Sequence, residues 1–171
     1  LLENLLLWAR SKRGMIPFNP TLIELLPVVR EGAEMMEEPA KIKNITIEID
    51  INEDIAVLAD NNILQTIIRN LVSNAVKFTL PGGHVILKAK SKDNSSVEVS
   101  VEDTGIGMSH EIMDNLFKPG SRTGRKGTEG ESSSGLGLIV CNDFVKMLGG
   151  KLEIESEQGK GSRFFFSLPS H

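Results

Sequence analysis

The chain has 171 residues, of which 40% are hydrophobic and 25% charged, with a formal net charge of −4. That composition suits one globular domain with a short appendage, large enough to bury a core unaided. The acidic balance argues against a nucleic-acid partner. The single cysteine, Cys141, rules out a disulfide framework or a cysteine-rich zinc site. No apolar run reaches the roughly 20 residues needed to cross a bilayer, so no membrane contact is expected of these residues. The opening leucines lack a basic preamble and a cleavage site, and no methionine precedes them, so the chain reads as a piece of something longer.

Leu1, Leu5 and Trp8 recur at i, i+4 and i+7, giving a first helix over residues 1–13 with an apolar stripe too wide for its length. Such a stripe packs either on its own domain or on another helix. Gly14 ends it, so the expected division is an appendage at 1–14 and a globular domain at 15–171. Asn19-Pro20 resembles a helix start, and the spacing of Leu22, Leu25, Leu26, Val29 and Ala33 predicts a helix from Thr21 to about Lys43, complicated by Pro27 and Pro39. Ile45, Ile47, Ile49 and Ile51 alternate as in a half-buried strand, and Ala56–Ala59 reads as a second. Asp60 or Asn61 then caps a helix to about Thr79.

Pro81-Gly82-Gly83 turns the chain into strands over 84–91 and 96–102. A short helix near 110–116 is followed by a polar stretch, 119–135, rich in glycine and serine, of a length that marks a functional lid or disorder. A last helix opens at Ser134 or Gly135 and runs to Leu148, before strands at 151–156 and 162–168. This order predicts an α+β fold, a two-layer sandwich with one sheet covered on one face by helices.

Three places carry chemistry. Asn70, Asn74 and Lys77 form one stripe beside the buried stripe Leu64, Ile68, Leu71 and Ala75. Amide oxygens suit Mg²⁺ and an amine suits phosphate, although spacing alone favours a solvated face. Asp103 shares the parity of Val97, Val99 and Val101, so its carboxylate points toward the buried layer and needs a donor there, such as the amino group of adenine. Gly105 and Gly107 after it allow close backbone approach. Ser134-Gly135-Leu136-Gly137 opens a helix, where free N–H groups can meet an anion, and Arg122, Arg125 and Lys126 precede it. Neither a Walker loop nor the protein-kinase signatures occur.

Taken in order, these elements resemble the boxes of the sensor histidine-kinase catalytic domain, within the superfamily shared with DNA gyrase and the Hsp90 chaperones. The N box is matched by Asp60-Asn61-Asn62-Ile63-Leu64-Gln65 and Asn70-Leu71-Val72-Ser73-Asn74-Ala75-Val76-Lys77-Phe78-Thr79. The first G box is matched by Asp103-Thr104-Gly105-Ile106-Gly107-Met108, the F box by Leu116-Phe117-Lys118-Pro119, and the second G box by Gly135-Leu136-Gly137-Leu138. Gly120 and Ser133 stand where the family often has Phe and Gly.

The resemblance implies the Bergerat ATP-binding fold, with ATP and Mg²⁺ as cofactors. It implies a metal-binding role for Asn70, with Asn74 beside the metal and phosphates and Lys77 on the phosphates, Asn70 and Lys77 thereby serving catalysis. Asp103 would read adenine with Gly105 and Gly107 beside the ring. Arg122 and Ser134 would belong to a lid at 118–134 and bind the nucleotide with Leu136, while Gly135 and Gly137 resemble the hinge that lets the lid close over the phosphates.

Residues 1–14 resemble the end of the dimerisation hairpin. The implied activity is transfer of the ATP γ-phosphoryl group to a histidine outside this chain, since His84, His110 and His171 lie in no acceptor setting. The implied partners are the phosphoacceptor hairpin of the same full-length chain, a response-regulator receiver domain, and a second copy in a full-length homodimer. The implied location is cytoplasmic, inside a membrane-anchored sensor. A regulatory nucleotide-binding module and a gyrase-type ATPase switch are the alternatives. The switch is disfavoured because Asn70 occupies the place of the water-activating glutamate.

Overall fold

The structure, a computed structural model, describes residues 2–93, 95–118 and 125–170. Its main sheet has five strands in the order β2-β4-β5-β7-β6, formed by β2 (Thr46–Asp50), β4 (His84–Asp93), β5 (Ser96–Asp103), β6 (Glu153–Glu157) and β7 (Gly161–Pro169). The β2–β4 pair is parallel and the others are antiparallel, so the sheet is mixed. Cross-strand register lines up Leu87, Val101 and Phe164, then Ala89, Val99 and Phe166, on one face. These side chains are buried under the helices. The opposite face is polar, where Arg163 meets Glu102 at 3.3 Å and Glu155 at 3.4 Å, and Lys88 meets Glu102 at 2.8 Å.

The central covering helix is α4 (Asn61–Phe78), with α2 (Leu25–Glu34) and α6 (Leu136–Met147) on either side. Ile63, Leu64, Ile67, Ile68, Leu71, Val72, Ala75 and Val76 form the buried stripe of α4. Asp60 caps its start, accepting the Ile63 N–H at 3.1 Å. The first helix, α1 (Leu2–Lys12), lies on α6 through the partly buried Leu7 and Trp8 and a 3.1 Å pair between Lys12 and Asp143. Leu2, Leu5 and Leu6 remain exposed.

One sequence expectation fails. The helix expected from Thr21 to about Lys43, capped by Asn19, is a strand followed by two short helices. Thr21–Glu24 is β1, paired antiparallel with β3 (Ala56–Ala59) as a separate ribbon, and Leu22 is exposed. The Asn19 N–H serves Asp60 instead, at 2.9 Å. Pro27 and Pro39 lie in the first turns of α2 and of α3 (Glu37–Ile42). There the missing N–H costs nothing, because first-turn N–H groups have no partner within a helix. The prolines therefore mark two helix starts where a single kinked helix was expected.

Candidate active site

Two walls make the principal pocket. One is the C-terminal half of α4, on which Asn70, Asn74 and Lys77 follow one another at helical spacing. The other combines the end of β5 with the N-terminus of α6. Asn70, Asn74, Lys77, Asp103, Gly107, Ser134, Gly135 and Gly137, all singled out in the sequence, line this one cavity. Gly105 and Leu136 do not line it. A side chain at Gly105 would strike the Phe78 carbonyl, so that residue is the close contact between the β5 loop and α4. The Leu136 N–H is bonded to Ser134 Oγ at 3.2 Å. Arg122, Pro119 and Gly120 lie outside the described residues, as does that part of the lid.

Sheet register places Asp103. It stands between Val85 and Ser162, one step beyond the apolar row Leu87–Val101–Phe164. Its carboxylate accepts the Gly105 N–H at 2.8 Å. Burial pushes the Asp103 carboxyl up to about 6, against the opposing pull of N–H groups from Gly105 and Ser162. A partly desolvated carboxylate with remaining acceptor capacity is suited to a neutral N–H donor. Behind it, Gly107 adopts φ +62, and a side chain there would run into the Glu157 carbonyl, so the β6–β7 turn backs the loop.

On α4, Asn70 Nδ2 donates to the Thr66 carbonyl at 3.0 Å, which fixes which end of the amide is oxygen. Lys77 Nζ donates to the Ser132 carbonyl at 2.9 Å. Burial lowers the Lys77 pKa, and the negative charge of Glu131 opposes that shift. Gly135 precedes α6 with φ +70, a conformation natural to glycine, and turns the chain so that the helix starts at the pocket. Among the described residues no cluster of three His, Cys, Asp or Glu side chains is placed to hold a metal. The pocket does offer the amide side chains of Asn70 and Asn74, whose oxygens have the chemistry a hard cation prefers.

The sequence reading missed several lining residues. Ser73 and Phe78 lie on α4 between or beside the chosen positions, and Met108 and Leu116 belong to boxes already marked. Ser162 and Phe164 come from β7, and their signal was pairing register, which a single strand does not reveal. Arg125, one of the basic residues named ahead of α6, also lines the pocket. Its guanidinium lies 5.2 Å from the Phe78 ring centre and donates to the Gly107 carbonyl at 3.3 Å.

A mixed sheet roofed by helices, with a pocket between a polar helix stripe and a buried strand-end aspartate, is the architecture of the ATP-binding catalytic domains of histidine kinases. Residues 59–171 match the family model described as histidine kinase-, DNA gyrase B- and HSP90-like ATPase, and the chain belongs to that family. The adaptive-response sensory kinase SasA of Crocosphaera subtropica is 29% identical over 170 residues, covering 99% of this chain and 44% of that protein. The catalytic domain of histidine kinase ThkA superposes with a TM-score of 0.76 at 28% identity, covering 89% of this chain and 96% of that one. Full-length ShkA in complex with AMPPNP gives a TM-score of 0.82 at 30% identity, over 98% of this chain and 34% of that one. The chain thus spans less than half the length of the SasA protein it matches. Among the described residues no helix is long and apolar enough to cross a membrane.

Proposed function

We propose that the chain binds ATP with Mg²⁺ in this pocket and presents the γ-phosphoryl group to a histidine on a helical hairpin outside it. The observation that carries the proposal is that Asn70, Asn74 and Lys77 on α4 line one cavity together with Asp103 at the end of β5. Asp103 would accept from the exocyclic amino group of adenine, with Gly107 beside the ring. The Asn70 oxygen would hold the Mg²⁺, with Asn74 near it, and Lys77 would meet the phosphates. Bound there, the metal would supply neutralisation of triphosphate charge. Ser134, Gly135 and Gly137 bring the start of α6 to the same cavity, where helix N–H groups would favour an anion. Arg125 is a lid cation that lines the cavity, and Arg122 is a further candidate for the phosphates.

In the transfer, a nitrogen of the acceptor imidazole forms a bond to the γ-phosphorus. The bond from that phosphorus to the bridging oxygen breaks, and ADP leaves with the electron pair. Such chemistry depends on positioning and charge neutralisation more than on acid–base groups. ShkA, a structural relative, is seen with an ATP analogue, which supports nucleotide as the ligand. Residues 1–14 are read as the end of the hairpin, because α1 packs on α6 yet leaves Leu2, Leu5 and Leu6 exposed for a neighbouring helix. A receiver domain as final acceptor and a homodimer in the full-length protein follow from the same reading.

The test is transfer of labelled γ-phosphate from Mg²⁺–ATP to a separately prepared hairpin bearing the acceptor histidine. Acid-labile label on the hairpin, absent with Asn70→Ala, is expected. Tight ATP binding without label would instead identify a regulatory nucleotide module.

A further inference from the structure

Lys43 is a buried lysine, 4% exposed, and it comes from the α3–β2 connection ahead of the residues that match the family model. Its backbone is pinned on both sides. The Lys43 N–H reaches the Pro39 carbonyl at 3.2 Å, and the Lys43 carbonyl receives the Gly82 N–H at 3.3 Å. Asn44 follows with φ +54, a left-handed turn that asparagine tolerates better than most residues.

From this corner the ammonium reaches four oxygens: the Val76 carbonyl at 3.0 Å, the Lys77 carbonyl at 3.1 Å, Thr128 Oγ1 at 2.6 Å and Glu131 Oε1 at 2.9 Å. The first two belong to the C-terminal turn of α4, where carbonyls lack helical partners and the helix dipole is negative. The other two belong to the lid. The lid segment is folded on itself there. Gly127 N–H donates to the Glu131 carbonyl at 2.9 Å and Glu129 N–H to the Glu131 carboxylate at 2.9 Å. It is also stitched to α4, because Thr128 N–H donates to the Lys77 carbonyl at 3.1 Å and Thr128 Oγ1 lies 3.1 Å from the Thr79 carbonyl. Burial would raise the Glu131 carboxyl, but hydrogen bonds from its own and Glu129's N–H and from Lys43 hold it below the usual range.

Lys77 is the hinge of this arrangement. Its carbonyl receives both Lys43 and Thr128, while its amine faces the pocket. Its stem runs so close to Gly127 that a side chain there would collide with Lys77 Cγ. Lifting the lid would strip Lys43 of Thr128 and Glu131 and leave a buried cation with helix carbonyls alone, which is costly. We propose that Lys43 is a positioning residue, latching the Gly127–Glu131 segment of the lid onto the end of α4 and thereby setting Lys77 for the triphosphate. The part of this concerning triphosphate rests on the nucleotide reading above.

The test combines amide hydrogen exchange with paired titrations of adenosine and Mg²⁺–ATP, for wild type, Lys43→Met, Glu131→Gln and the double variant. The exchange of Thr128 and Glu129 amides should rise about tenfold in each single variant, the worth of one charge-assisted hydrogen bond, and little further in the double. Mg²⁺–ATP affinity should fall by about the same tenfold, with adenosine held within about twofold, because Asp103 has no part in the latch. Lys43→Arg should restore part of both effects. Unchanged exchange in folded variants would overturn the latch. Equal losses for adenosine and ATP would reduce Lys43 to a support of the fold. Should Lys43→Met fail to fold, Glu131→Gln on the lid carries the same comparison. A wild type that binds neither ligand would sink the nucleotide reading, while the exchange measurement would still decide the latch.

Discussion

The two ends of the pocket are built by different means. On the Asp103 side, proposed for the base, position comes from backbone: Asp103 is one step beyond a core row, held by sheet register to Val85 and Ser162 and by the N–H of Gly105. On the Lys77 side, proposed for the phosphates, position comes from side chains on one helix facing a loop, with Lys77 bonded to Ser132 and the loop tied back through Glu131 and Thr128. The first kind of site is rigid because moving it means breaking a sheet. The second is held, among the described residues, by one backbone bond from the Thr128 N–H to the Lys77 carbonyl and a few side-chain bonds, so it opens at smaller cost. On the proposed reading a nucleotide domain would benefit from that division, with the base selected by a fixed wall and the phosphates by groups that can admit and release them.

The largest effect should follow from breaking the base end. Asp103→Asn is expected to weaken adenosine binding by roughly 10- to 100-fold, the loss of a charge-assisted acceptor in a desolvated place. The same variant should stabilise the empty domain at high pH. Asp103 is raised from 3.8 to about 6 in the folded protein, so the folded state holds the proton more tightly than the unfolded one. Its destabilising contribution is absent below pH 4, grows between about 4 and 6, and is complete above 6. Removing it should be worth about 2–3 kcal/mol at pH 8 and close to nothing at pH 4, read from thermal or urea unfolding at both values. Adenosine binding by wild type should correspondingly weaken as pH falls through 6, where Asp103 protonates; adenosine avoids the titration of the phosphates.

A smaller effect is expected at the phosphate end. Lys77→Met should cost Mg²⁺–ATP about tenfold in affinity and leave adenosine alone, as isothermal titration of the two ligands would show. Smaller still is Gly127→Val, whose side chain would meet the Lys77 stem and the Glu131 carboxylate. Both neighbours are flexible, so a loss of about threefold for ATP is expected, from a disturbance below 1 kcal/mol.

The same contrast explains what the sequence disclosed. Asp103 was legible because parity along one strand, Val97 to Val101, aims its side chain without knowledge of any partner. Asn70, Asn74 and Lys77 were legible because a helix with a clear cap at Asp60 and a long apolar stripe leaves only one way to face. Four family boxes in order then supplied the chemistry that spacing alone left open. By contrast, β1 was misread as helix. Thr21–Glu24 is too short for periodicity to decide, and Asn19, which has the local form of a cap, instead gives its N–H to Asp60 41 residues away. Lys43 was invisible for the same reason: its partner Glu131 lies 88 residues on, and nothing next to Lys43 announces it.

The most direct test is a crossed titration, with adenosine and Mg²⁺–ATP measured against folded Asp103→Asn and Lys77→Met under one set of conditions. The predicted pattern is that Asp103→Asn weakens both ligands, whereas Lys77→Met weakens only ATP. Equal losses of both ligands with Lys77→Met, or adenosine indifferent to Asp103→Asn, would contradict the assignment of a base end and a phosphate end.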